Sequence, residues 1–294
     1  MKIGMVGLGK MGGNMAARLE AAGHDVVGYD AYSDASEVGS LAELVERLEP
    51  PRVVWSMVPA GDATQGVIDE LAGHLQPGDV VIDGGNANWH DSVRRGQALG
   101  DQGIGFVDAG TSGGVWGRTE GYCLMVGGSP EHLAIAQPIF DALAPPGGGF
   151  VHAGGVGTGH FTKMVHNGIE YGVMQAYAEG YELLHRSGLD IDVVGALDAW
   201  REGSVVRSWL LDLLVRALRE TPDLEHIAGV AHDSGEGRWT VQESIERGVA
   251  TPVISAALFA RFVSQQHDSI AMKAIAALRN QFGGHAVVEE EVSA

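Results

Sequence analysis

Cysteine is nearly missing from this 294-residue chain: Cys123 stands alone, which excludes a disulfide framework and any cysteine-based metal centre. Long apolar runs are missing too. No stretch approaches the roughly 18 consecutive apolar residues of a membrane-crossing helix, and no basic segment leads into an apolar one near Met1. A soluble, cytoplasmic protein is the expectation. Basic residues are scarce. Nineteen Lys and Arg face 38 Asp and Glu, and the net charge of −19 argues against nucleic acid or an anionic membrane as partner. Lysine is the rarest of them, at positions 2, 10, 163 and 273 alone. If the protein binds an anion, its few cations must gather there, so the place of each is informative. What is plentiful is apolar material, 45% of the chain, enough for two domains at this length.

One of the four lysines sits in an unusual setting. Over 160–182, Lys163, His166, Asn167 and Glu170 recur at i, i+3, i+4 and i+7 and so share one face of a helix. Met164, Val165, Ile169, Val173 and Met174 make the opposite, apolar side. For most helices such a polar face is simply solvated, with Lys and Glu as a surface pair. Here the rarity of lysine counts against that. The run 154–160, Gly-Gly-Val-Gly-Thr-Gly-His, also delivers the helix on residues small enough for a ligand to approach. We read the face as catalytic.

The chain begins with a short apolar strand over 2–7 that runs into Gly7-Leu8-Gly9-Lys10-Met11-Gly12 and then a helix from Asn14 to about Ala22. Strand, glycine turn and helix start are the context a GxGxxG motif needs to bind a dinucleotide, with the pyrophosphate on the helix N-terminus. A second strand, Asp25–Tyr29, ends at Asp30, 18 residues after Gly12, where a carboxylate would take the adenosine ribose. Ala31, Tyr32, Ser33 and Asp34 offer no cation for a 2′-phosphate, so NAD is expected rather than NADP. Further strands are predicted at Arg52–Met57, Asp79–Asp83, Ile104–Val107, Tyr122–Val126 and Gly149–His152. Helices are predicted at Ser40–Leu48, Ala63–Leu75, Asp91–Leu99 and Pro130–Leu143. That alternation predicts an α/β Rossmann-type, doubly wound parallel sheet over residues 1–158. The loops after its strands should face the ligand: Val58-Pro59-Ala60-Gly61, the 83–86 loop ending in Asn86, and 109–114 with Ser112, Gly113 and Gly114. Beyond residue 182 no strand pattern persists. An all-α C-terminal domain is predicted over 159–294, with helices at Ile191–Trp200, Val205–Arg219, Leu224–Ala231, Val241–Arg247, Pro252–Gln265 and Ser269–Gln281, then an acidic tail over 286–294. No metal is expected, because His152, His160 and His166 are not spaced as zinc ligands.

Six runs occur in order and carry a family resemblance. They are Gly-Leu-Gly-Lys-Met-Gly-Gly-Asn (7–14), Asp-Gly-Gly-Asn (83–86), Ser-Gly-Gly (112–114), the 157–175 segment, Gly-Arg-Trp-Thr (237–240) and Arg-Asn-Gln-Phe-Gly-Gly-His (279–285). Together they resemble the decarboxylating 6-phosphogluconate dehydrogenase family, within the β-hydroxyacid dehydrogenase superfamily, in its short, often NAD-linked bacterial form. The resemblance implies 6-phosphogluconate as substrate and ribulose 5-phosphate, carbon dioxide and NADH as products. It implies Lys163 as general base, then acid, and Glu170 as the group that protonates C1. Asn167, His166, Asn86, Ser112, Gly113 and Gly114 would hold hydroxyls and carboxylate. Tyr171, Arg238 and Thr240 would hold the phosphate, joined by Arg279 and His285 from a neighbouring subunit of a homodimer or homotetramer. Two departures stand out: Val115-Trp116 where the long form carries acids, and no arginine over 263–270, where His267 is the candidate substitute. The rival readings are a dehydrogenase of a small unphosphorylated 3-hydroxy acid, and a dinucleotide-sensing module without catalysis.

Overall fold

Apolar runs of four or five residues set the frame of the amino-terminal half, seen in a computed structural model that describes residues 1–288; the acidic residues Glu289–Glu291 of the expected tail lie outside them. The chain divides into two units, Met1–Ile169 and Glu170–Ala294.

In the first unit strands and helices alternate: β1 (Lys2–Val6), α1 (Lys10–Ala21), β2 (Asp25–Tyr29), α2 (Leu41–Glu46), β3 (Val53–Ser56), α3 (Asp62–Ala72), β4 (Val80–Asp83), α4 (Trp89–Gly100), β5 (Gly105–Ser112), α5 (Gly117–Glu120), β6 (Cys123–Gly127), α6 (Pro130–Leu143) and β7 (Phe150–Gly154). They form one seven-stranded sheet in the order β2-β1-β3-β4-β5-β6-β7. Both faces are covered, which is why the strands read as continuous apolar runs rather than alternating ones. Ile3, Met5, Trp55, Ile82 and Val107 pack on one side; Val6, Val54, Val81 and Phe106 pack on the other.

The sheet is parallel except at one pair, β5 with β6. That pair corrects the expected strand end at Val107. The ladder continues through Ala109↔Val126, Gly110↔Met125 and Thr111↔Leu124 to Ser112↔Cys123, so only Gly113 and Gly114 turn. A glycine-bearing run reads as a loop locally; an antiparallel neighbour supplied by later sequence makes it strand.

The long α7 (Thr158–His185) runs from the first unit into the second, which continues with α8 (Val193–Ala199), α9 (Trp209–Glu220), α10 (Glu236–Glu246), α11 (Pro252–Ser264) and α12 (Ile270–Gly283). The helix expected over Leu224–Ala231 is not there. A single 3-10 turn, Pro222–Leu224, is followed by irregular backbone, with Asp223, Leu224 and His226 at φ of 53, 56 and 68°. Left-handed residues cannot continue a right-handed helix. No helix among the described residues is long and apolar enough to cross a membrane.

Candidate active site

The glycine turn after β1 is closed by contact. Gly7 adopts φ +88°, which favours glycine, and a Cβ on Gly12 would collide with the Gly7 carbonyl oxygen, so helix and turn approach only because Gly12 has no side chain. A cavity of about 850 Å³ opens beside this turn. Gly7, Gly9, Met11, Gly12, Asp30, Val58, Pro59, Ala60 and Asn86 all line it, so the expected cofactor residues converge on one space. Leu8 contributes through its backbone: its amide donates to Asp30 Oδ2 at 2.7 Å, and the Tyr32 amide donates to Oδ1 at 2.8 Å. Asp30 is therefore held rigid at the end of β2. Two further lining residues lie outside that expected set. Lys10, inside the motif itself, is the one basic lining residue, and Tyr32 extends a ring that is 99% exposed. The size, the glycine cradle and the fixed carboxylate fit a nicotinamide dinucleotide.

The 83–86 loop is anchored from beneath. Asp83 and Arg95 form an ion pair at 3.2 Å with both side chains 1% exposed, and Arg95 also reaches Gln65 Oε1 and the Gly61 carbonyl. A buried pair so satisfied fixes the strand end from which Asn86 projects.

The end of β5 positions α7. Asp108 is fully buried, and its carboxylate accepts the Gly157 amide at 2.6 Å and the His160 amide at 2.8 Å, capping the start of α7. Burial pushes the Asp108 carboxyl above its ordinary range, against the opposing pull of His160 and those two amides. His160, also buried, bonds Ser92 on α4 through Nδ1 at 2.7 Å. Two residues along β5, Gly110 seats Lys163: a Cβ there would strike the Lys163 Cβ and lie 3.0 Å from the Gly159 carbonyl. Lys163 is thus 7% exposed, on the face that also carries His166 and Asn167, whose Nδ1 and Oδ1 lie 3.1 Å apart. Glu170 follows seven residues further along α7. Ser112 ends β5; Gly113 and Gly114, at φ of 132 and 53°, lead into exposed Val115 and Trp116.

In the second unit a cation cluster surrounds buried Tyr171. The Arg261 guanidinium lies 3.4 Å above its ring, and the Tyr171 hydroxyl accepts the Ser234 amide at 3.0 Å. Arg238 packs over Phe262 at 4.9 Å and pairs with Asp233, which raises the guanidinium's pKa and holds the Asp233 carboxyl below its ordinary range. Thr240 is buried, its hydroxyl donating to the Glu236 carbonyl at 2.8 Å. No arginine lies over 263–270, as expected, but Arg261 just before that stretch sits over Tyr171. It stands two residues before the 263–270 window, while His267 is exposed in the bend after α11. Its signal was available: an arginine in a helix otherwise short of charge. Arg279 and His285 stand exposed on α12 and just past its Gly284 cap, and neither is hydrogen-bonded to Tyr171 or Arg238 among the described residues.

The glycine turn, the Asp30 carboxylate and the cavity define a Rossmann-type dinucleotide-binding protein with a helical second unit. Residues 2–155 match the NAD binding domain of 6-phosphogluconate dehydrogenase, and residues 159–292 match the 6-phosphogluconate dehydrogenase C-terminal domain. An NAD(+)-dependent, decarboxylating 6-phosphogluconate dehydrogenase of Haloferax volcanii is 42% identical, over 99% of this chain and 100% of the relative. An NADP(+)-dependent, decarboxylating enzyme of Bacillus subtilis is 37% identical, over 91% of this chain but 62% of its own length. The Plasmodium falciparum 6-phosphogluconate dehydrogenase, described in its apo form and with NADP+ or 6-phosphogluconate, superposes with a TM-score of 0.79 at 27% identity, over 100% of this chain and 67% of its own. The chain belongs to the 6-phosphogluconate dehydrogenase family.

Proposed function

We propose that this protein oxidises and decarboxylates 6-phospho-D-gluconate to D-ribulose 5-phosphate and carbon dioxide with reduction of NAD, residues 1–158 binding the dinucleotide and 159–294 the substrate. The observation that carries the reading is Lys163, a scarce lysine held out of water on Gly110, on one helix face with His166, Asn167 and Glu170. The nicotinamide, when bound in the cavity, supplies the hydride acceptor. Lys163 takes the proton of the C3 hydroxyl as that carbon becomes a ketone. The resulting β-keto acid has an acceptor for the electron pair of its C1–C2 bond, and the Lys163 ammonium stabilises the enolate oxygen as carbon dioxide leaves. Glu170 then delivers a proton to C1 of the product enediol. His166, Asn167, Asn86 and the Ser112–Gly114 turn hold the hydroxyls and carboxylate.

Tyr171, Arg238, Thr240 and Arg261 take the phosphate, and two of these are cations in a chain of net −19. Arg279 and His285 complete it from a neighbouring copy in a homodimer or homotetramer. What supports that is α12, which has no buried residue and leaves Ile270, Met272, Ile275, Leu278 and Phe282 between 48 and 79% exposed. NAD is preferred over NADP because Asp30, pinned by two amides, presents a carboxylate where a 2′-phosphate would lie, and Ala31, Tyr32 and Ser33 bring no cation. A sugar phosphate does not cross a bilayer unaided, so the enzyme works in the cytoplasm.

A substrate panel with both cofactors tests this. Expected is a kcat/KM for 6-phosphogluconate with NAD at least about a hundredfold above that for gluconate or 3-hydroxyisobutyrate. Comparable values for phosphorylated and unphosphorylated acids would overturn the substrate, and a preference for NADP would overturn the cofactor.

A further inference from the structure

Four consecutive residues, Ala231–Ser234, organise the cation cluster of the second unit. Ala231 is fastened to the end of α11: its amide donates to Ser264 Oγ and its carbonyl accepts from Gln265 Nε2, each at 3.0 Å. The next carbonyl, of His232, accepts Arg261 Nη1 at 3.0 Å. The Asp233 carboxylate takes Arg238 edge-on, with Nε at 3.2 Å and Nη2 at 2.9 Å. The Ser234 amide then binds the Tyr171 hydroxyl. Arg261, Arg238 and Tyr171 are thus each held by a successive residue of one short segment.

A surface Asp–Arg pair five residues apart would ordinarily mean little. This one is inverted: the acid is the shielded partner, 11% exposed, and the base is 51% exposed. An edge-on pair fixes the guanidinium plane, and Phe262 supports it from one side. The rotamer freedom that an arginine would lose on meeting an anion is therefore already lost on folding. The edge bearing Nη1 is left pointing away from the carboxylate.

We propose that Asp233 is a positioning residue for the phosphate: it presents Arg238 in a fixed plane and so sets the discrimination between phosphorylated and unphosphorylated sugar acids. The inference rests on the substrate reading above. Asparagine at 233 keeps one acceptor and turns an amide donor toward the guanidinium, which releases Arg238 while preserving size.

For Asp233→Asn we expect KM for 6-phosphogluconate to rise about tenfold or more, kcat to fall less than about threefold, and competitive inhibition by inorganic phosphate to weaken in parallel. kcat/KM for gluconate should hold, so the preference for the phosphorylated acid shrinks by the same factor. In an Arg238→Lys background, where a single ammonium cannot be held edge-on, the same substitution should change KM less than about twofold. An unchanged or lower KM in Asp233→Asn overturns the proposal. So does an equal loss for gluconate and 6-phosphogluconate, or an equal effect in both backgrounds. If the wild type turns over 6-phosphogluconate and Asp233→Asn matches it, this inference alone falls. If the wild type does not, the substrate reading falls and takes the inference with it.

Discussion

Lys163→Met is expected to lower kcat for 6-phosphogluconate by at least about a thousandfold, because one group acts as base in the oxidation and as acid in the decarboxylation. Methionine keeps the length and the apolar stem that lies on Gly110, so the helix should stay seated. NAD affinity, set by the cavity beside the Gly7–Gly12 turn, should change less than about twofold. Steady-state kinetics with cofactor titration by fluorescence separate the two effects. A variant within about tenfold of wild type would take Lys163 out of the proton transfers.

Asp108→Asn should show the second largest effect, although Asp108 touches neither substrate nor cofactor in this account. Its two oxygens satisfy two amides at the start of α7, Gly157 and His160. Asparagine supplies one acceptor and aims a donor at the other amide, leaving a buried N–H unpaired at about 1–3 kcal/mol. The thermal midpoint should drop by roughly 3–10 °C. Lys163 sits one turn beyond that cap, and a displacement of about 1 Å in a reacting group is worth about a hundredfold in rate. We therefore expect kcat to fall about a hundredfold with NAD binding retained. Thermal melts and kinetics on the same preparation check this; a loss of stability with kcat intact would mean that α7 is seated by other contacts.

Much of this was legible in the sequence because the controlling interactions are local. A glycine turn between strand and helix needs no distant partner to be read, and Asp30 lies close after it along the chain. The polar face of α7 follows from helical spacing alone. What escaped depended on partners far along the chain. Ala109–Ser112 is strand only because β6 runs antiparallel to it. Asp108 caps a helix 49 residues later, and a lone acid in an apolar strand gives no local sign of that. The stretch 224–231 has helical apolar spacing, yet Asp223, Leu224 and His226 adopt left-handed backbone that spacing does not encode. Arg261 lies two residues before the stretch in which an arginine was sought, because motif order fixes a neighbourhood and not the turn of helix that faces Tyr171.

Carbon dioxide release tests the central claim most directly. With 6-phosphogluconate labelled at C1 and NAD in excess, labelled carbon dioxide and NADH should appear in equal amounts from the first turnover, alongside ribulose 5-phosphate. NADH without labelled carbon dioxide would mean a simple hydroxyacid dehydrogenase, and would contradict the roles given to Lys163 and Glu170.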